Sequence, residues 1–287
     1  MSEPIVVGVD GSEPALAAAR WAATEAARHR VPVKLVHSYQ LPAYGYPGFV
    51  PTGEEVRQAF EDAAREPLAE AERAVRAVAP EVEVSTSIVL GGAAAVLIEE
   101  SRHARAVVLG SRGLGGFTGL VVGSVTAAVS AHAGSPVVVL RDQAPAEGDV
   151  VVGVDGSEVS EQAVAFAFEQ ASARGVPLTA VLAWTDSFID SVYNSPVAVD
   201  WSEVEEEQRR LLAERLAGWQ EKYPDVPVTR AVVRDRPTRA LLRAADGACL
   251  LVVGSHGHGG FAGMLLGSTS RALLHHATVP LAIVRRD

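Results

Sequence analysis

The chain has 287 residues, 48% hydrophobic and 21% charged, with a mean hydropathy of +0.17. This composition excludes extensive disorder, and at about 150 residues per domain the length suggests two domains. Thirty-five acidic against 25 basic residues give a formal charge of −10, which disfavours nucleic acid and anionic membrane as partners.

The apolar runs predict strands near 5–10, 33–39, 82–90, 106–110 and 136–140, with helices near 13–29, 54–79, 93–104 and 124–133 between them. Runs such as Val107-Val108-Leu109 and Val137-Val138-Val139-Leu140 are continuous, as in a parallel sheet buried on both faces. A Pro/Tyr/Gly stretch from Leu41 to Gly53 makes a long connection after the second strand, either a cover for a site or a surface excursion. Strands are predicted again near 150–155, 178–184, 227–234, 249–254 and 280–285, with Thr185 to Val199 as the matching long connection. Ser12 and Ser157 stand where an N-cap belongs, ahead of the first helix of each set.

The second set repeats the first. Ile5-Val6-Val7-Gly8-Val9-Asp10-Gly11-Ser12 returns as Val150-Val151-Val152-Gly153-Val154-Asp155-Gly156-Ser157, and Val107 to Gly113 returns as Leu251 to Gly257. Two domains of one kind follow, residues 1–142 and 149–287, joined by the polar, unpatterned linker 143–148. Strands alternating with helices make each an α/β domain with a doubly wound parallel sheet.

In such sheets ligands sit beyond the carboxyl ends of the strands where the order reverses, which directs attention to the ends of strands one and four. Strand four runs into Gly110-Ser111-Arg112-Gly113-Leu114-Gly115-Gly116, and Gly123-Ser124-Val125 then opens a helix. The second copy gives Gly254-Ser255-His256-Gly257-His258-Gly259-Gly260, then Gly267-Ser268-Thr269. The shared pattern is G-x2-G-x9-G-[ST]. Glycines that admit positive φ would let successive N–H groups converge on an anion, and a Gly-Ser helix start adds free donors, a positive dipole end and a hydroxyl. The pattern describes a triphosphate cradle independent of net charge. Neither a Walker A loop nor a G-x-G-x-x-G fingerprint is present, and an acid at the end of strand one would repel a pyrophosphate. Asp10 and Asp155 would instead accept from the exocyclic amine of adenine.

These residues resemble the universal stress protein family: G-x2-G-x9-G-[ST] after a buried strand, with G-[VI]-D-G-S after the first. The tandem arrangement is similar to two-domain members from mycobacteria, and the resemblance runs from Ile5 to Arg286. It implies two Rossmann-like, adenine nucleotide alpha hydrolase-like domains, each with a five-stranded parallel sheet flanked by helices. It also implies one ATP per domain, with Mg²⁺, and at most slow hydrolysis. Carried over by position, Asp10 and Asp155 would meet adenine, with Val9 and Val154 beside them and Gly8 and Gly153 leaving room. Gly110 to Gly116 and Gly254 to Gly260 would wrap ribose and phosphates, and Gly123-Ser124-Val125 and Gly267-Ser268-Thr269 would hold the outer phosphates. The resemblance implies a nucleotide-dependent regulator of stress response or growth arrest. The alternatives are an ATP-hydrolysing or nucleotide-transferring enzyme, which would need a general base that neither loop supplies, and a nucleotide-independent scaffold, which would have lost the glycines. Last strands of related proteins pair across dimers, so the two domains are expected to pair with each other, and a homodimer is expected in addition.

Other candidates are weaker. Arg112 becomes His256 in the second copy, so a permanent cation is replaced by a residue type that titrates near neutrality, and weaker nucleotide binding is expected there above pH 7. His256, His258 and the pair His275-His276 lack accompanying carboxylates or cysteines, so no metal site is expected. Ser124 and His132 lie eight residues apart on one helix, about 12 Å of rise, too far for a nucleophile and its base. Trp184, ending a strand, is a candidate wall for an adenine slot. The single cysteine, Cys249, excludes a disulfide framework and reads as a core residue. No apolar run reaches the roughly 18 residues of a membrane span, and Met1-Ser2-Glu3-Pro4 leads directly into a strand, so a cytoplasmic protein without a signal segment is expected.

Overall fold

The computed structural model describes residues 2–41, 53–114, 122–141, 147–185, 201–257 and 266–285. The chain divides into two units, Met1–Asp142 and Gln143–Arg286. The first contains β1 (Ile5–Gly8), α1 (Glu13–His29), β2 (Val33–Tyr39), α2 (Gly53–Val78), β3 (Val84–Leu90), α3 (Ala93–Glu100), β4 (Ala106–Gly110), α4 (Ser124–His132) and β5 (Val137–Leu140). The second contains β6 (Val150–Gly153), α5 (Glu158–Arg174), β7 (Leu178–Trp184), α6 (Trp201–Lys222), β8 (Val228–Arg234), α7 (Pro237–Ala244), β9 (Leu250–Gly254), α8 (Ser268–His276) and β10 (Leu281–Val284).

Within each unit the strands are parallel, in the order β3-β2-β1-β4-β5 in the first and β8-β7-β6-β9-β10 in the second. The order reverses where β1 meets β4 and where β6 meets β9, so the chain leaves these neighbours in opposite directions and opens a crevice at their carboxyl ends. Their side chains are buried on both faces, with Val6, Val7, Val107, Val108, Val151 and Val152 no more than 1% exposed. Helix α1 lies close to the sheet because its inward face is almost all alanine, Ala15, Ala18, Ala19, Ala22, Ala23 and Ala26. Burial on both faces does not extend to β3 and β8, none of whose residues is fully buried. Among the described residues each pairs with one strand, β2 or β7, and its Ser and Thr or Arg side chains reach water.

Ser12 and Ser157 cap α1 and α5 as their positions predict. Ser12 Oγ accepts from the Ala15 N–H at 3.3 Å, and Ser157 Oγ from the Ser160 N–H at 3.2 Å. The turn before each cap needs a residue at positive φ, and Gly11 and Gly156 supply it at 88° and 82°.

Between β8 and α7, Asp235 is nearly buried and accepts from the Arg236 N–H at 2.6 Å and from Arg239 Nε at 2.7 Å. The Arg239 guanidinium beside it holds the carboxyl below the usual carboxylate range, against the opposing effect of burial. A carboxyl whose folded-state pKa is lowered stabilises above the unfolded value, about 3.9, and that contribution is lost as pH falls through the folded value. Asp235→Asn is therefore expected to lower Tm at pH 7, by a deficit that shrinks as pH falls below about 3.9; an equal deficit at pH 7 and pH 2.5 would contradict this.

Candidate functional site

Each crevice encloses a cavity, about 480 Å³ in the first unit and about 550 Å³ in the second, within the usual range for small-molecule sites. The first brings together Gly8, Val9 and Asp10 from the end of β1, Gly110, Arg112 and Gly113 from the end of β4, and Gly123, Ser124 and Val125 at the start of α4. The second assembles Gly153, Val154 and Asp155 with Gly254, His256 and Gly257 and with Gly267, Ser268 and Thr269. Residues more than 100 positions apart in sequence thus share one wall. Ser111 and Ser255 do not line the cavities. They are 2% exposed, and their carbonyls accept from the Gly123 and Gly267 N–H groups at 2.8 Å, fixing the helix start against the strand end. Leu114 also stays off the wall and is 73% exposed. Gly115, Gly116, His258, Gly259 and Gly260 lie outside the described residues.

The helix starts leave backbone donors facing each cavity. Gly123 and Gly267 are N-caps without a side chain, and no side-chain hydrogen bond caps either helix. The first-turn N–H groups of Ser124, Val125 and Thr126, and of Ser268, Thr269 and Ser270, have no acceptor within the helix and point along its axis. Thr126 Oγ1 donates to the Gly110 carbonyl at 2.9 Å and Ser270 Oγ to the Gly254 carbonyl at 2.6 Å, which ties the helix start to the strand end.

The described motif glycines serve packing more than unusual torsion. Among the described residues none of Gly110, Gly113, Gly123, Gly254, Gly257 and Gly267 adopts positive φ, so these six do not supply the left-handed torsions expected for a nest of converging amides. A Cβ at Gly110 would sit 2.6 Å from Pro14 Cβ and 2.7 Å from the Pro14 carbonyl carbon, so this glycine lets α1 approach β4. At Gly8 it would meet Leu109 Cδ2 at 2.7 Å, and at Gly153 it would meet Leu241 Cδ1 at 3.1 Å; these glycines make room first for neighbouring side chains.

Asp10 is engaged within the protein. Its Oδ1 accepts from the Ser12 N–H at 3.0 Å and the Ser12 hydroxyl at 2.6 Å, and its Oδ2 accepts from the Leu114 N–H at 2.9 Å. Three of its roughly four acceptor positions are in use, so the carboxylate ties the end of β1 to the glycine loop and keeps about one position for another donor. Asp155 repeats the Ser contacts at 3.0 and 2.7 Å, and a Cβ at Gly257 would come within 2.1 Å of its Oδ2. This is why glycine recurs at that loop position.

Sequence reasoning missed the floor of the cavities. Val36 and Ser38 of β2, with Leu97 of α3, line the first, and Val181, Ala183, Pro237 and Leu241 line the second. The two-residue alternation of β2 and β7 carries that signal. It also turns Trp184 away from the cavity: its ring stacks on Trp201, centroids 6.0 Å apart, with the Arg234 guanidinium 4.4 Å from the Trp201 ring. Among the described residues no group of three or more His, Cys, Asp or Glu is placed to hold a metal ion, and no helix is long and apolar enough to cross a membrane.

The model of the universal stress protein family matches residues 1–141 and again 148–285. The chain belongs to the universal stress protein family. It is 44% identical to universal stress protein Rv2005c of Mycobacterium tuberculosis over the whole of both chains. It is 40% identical to Rv2623 of the same organism, over 99% of this chain and 96% of the other. The crystal structure of a universal stress protein from Archaeoglobus fulgidus superposes with a TM-score of 0.74 at 19% identity, covering both chains fully. That likeness bears on the fold, two α/β units of the Rossmann-like kind found in universal stress proteins.

Proposed function

We propose that this universal stress protein binds one ATP in each unit and acts as a nucleotide-dependent regulator of stress response or growth arrest, with at most slow hydrolysis. The observation that carries the reading is the uncapped helix start facing a cavity at the strand-order reversal, present in both units. The phosphates would be held by the first-turn N–H groups of α4 and α8, the hydroxyls of Ser124 and Ser268, and Arg112 in the first unit. Those donors suit a polyphosphate, and Mg²⁺ would be carried chiefly by the phosphates themselves. The apolar floor of Val36, Leu97 and Leu109 suits a base. Regulation is favoured over rapid turnover because Asp10, the carboxylate on the first cavity wall, is fixed by three hydrogen bonds and is not poised to activate water.

Titration calorimetry of the full chain with ATP and Mg²⁺ is expected to give two sites per chain, with AMP and cyclic AMP as competitors to fix the preferred nucleotide. A chain that binds none of the three, and releases no nucleotide on denaturation, would remove the proposal.

A further inference from the structure

Helix α7 presents two chemically opposite faces. Pro237 and Leu241 line the second cavity, whereas Arg236, Arg239 and Arg243 recur at three- and four-residue spacing on the far side. The three arginines border an open recess with Thr238, Leu242 and Asp246. The side chains of Arg239 and Arg243 are 63% and 71% exposed, and that of Asp235 at their base only 5%. Asp235 holds them in place, accepting from Arg239 Nε at 2.7 Å on each oxygen and from Arg243 Nη1 at 3.4 Å. A buried carboxylate thereby orders guanidinium groups that would otherwise lose rotamer freedom on meeting a partner.

The shared fold does not require this arrangement. At the repeat offset of 144 the first unit has Gly91 for Asp235, and Gly92, Ala95 and Glu99 for the three arginines. The cluster belongs to the second unit alone, on a chain whose net charge is −10.

We propose that this face docks an acidic segment of a partner protein. Its Asp or Glu side chains would take the outward edges of Arg236 and Arg243, with an apolar residue against Leu242. Three arginines against Asp235 and Asp246 leave one positive charge, which matches carboxylates spaced along a peptide better than a densely charged phosphate strand. The surface stands apart from the nucleotide reading and is tested without nucleotide.

The probe is a fluorescein-labelled Glu-Leu-Glu-Glu-Leu-Glu peptide, titrated with the full chain at about 20 mM salt, where exposed charges are weakly screened. Its anisotropy is expected to report saturable binding that Arg236→Glu with Arg243→Glu weakens at least about tenfold. This pair leaves the Arg239–Asp235 contact in place while removing the longer one from Arg243, and the milder Arg236→Ala with Arg243→Ala is expected to cost about threefold while the chain still melts cooperatively. Arg65→Glu with Arg73→Glu on α2, whose side chains are 69% and 64% exposed, is expected to leave the affinity as it was. An equal loss in that control pair would overturn the proposal. So would absence of binding at about 1 mM protein, or tighter binding of a 12-nucleotide single strand that the α7 variants abolish.

Discussion

Ser124→Asp is expected to remove nucleotide from the first unit while leaving the unit folded. Ser124 is the first residue of α4, after the Gly123 cap, and lines the cavity. An acid there faces the positive end of the helix dipole and should stabilise α4 by about 0.3–1 kcal/mol. It also places a fixed negative charge where the phosphates are proposed to sit. Two like charges about 4 Å apart repel by about 4 kcal/mol at the effective dielectric of a partly exposed site, so affinity should fall by at least about 100-fold. Ser268→Asp should do the same in the second unit. Calorimetry would then count one site in either single variant and none in the double, while thermal melting shows no loss. Wild-type stoichiometry in the double variant would place the phosphates elsewhere; loss of binding together with loss of fold would show that the serines act structurally.

Gly110→Ala is expected to destabilise the first unit strongly. The new Cβ would lie 2.6 Å from Pro14 Cβ, 2.7 Å from the Pro14 carbonyl carbon and 2.8 Å from its oxygen. Two of these are backbone atoms of α1, which cannot rotate aside, so either the helix lifts from the sheet or β4 bends. Such overpacking costs about 1–3 kcal/mol, and the rigid obstacle argues for the upper end. Gly254→Ala is the internal comparison, because there the closest atom is Val159 Cγ1 at 3.0 Å and the backbone stands off at 3.2 Å or more. Urea unfolding should show a deficit for Gly110→Ala more than twice that for Gly254→Ala. Equal effects would mean that the loop, and not the approach of α1, demands the glycine.

Much of the fold could be read from the residues. Apolar runs broken by helical stretches identified the strands, the repeat set their number, and Ser12 and Ser157 marked helix starts through a local hydrogen bond that needs no tertiary context. The site was legible where it depends on chain order, at the ends of β1 and β4 and the start of α4. What escaped depends on neighbours distant in sequence. Gly110 looks like a loop glycine until Pro14 is set against it, and Asp10 looks like an unengaged acid until the Leu114 N–H arrives from 104 residues away. Trp184 ends a strand beside the cavity, but one step of alternation decides which face its ring takes, and Trp201 holds it on the other side.

The bond from Leu114 to Asp10 has a thermodynamic consequence. It forms only when β1 and β4 already lie side by side, so the crevice is a property of the assembled unit and has no counterpart in the unfolded chain. A ligand seated there recognises the native state alone and adds RT ln(1 + [L]/Kd) to its stability, about 2.7 kcal/mol at one hundred times Kd. On the proposed nucleotide reading, nucleotide supply would set how stable each unit is against unfolding, and the two units, with cavities that differ in lining, would respond at different concentrations.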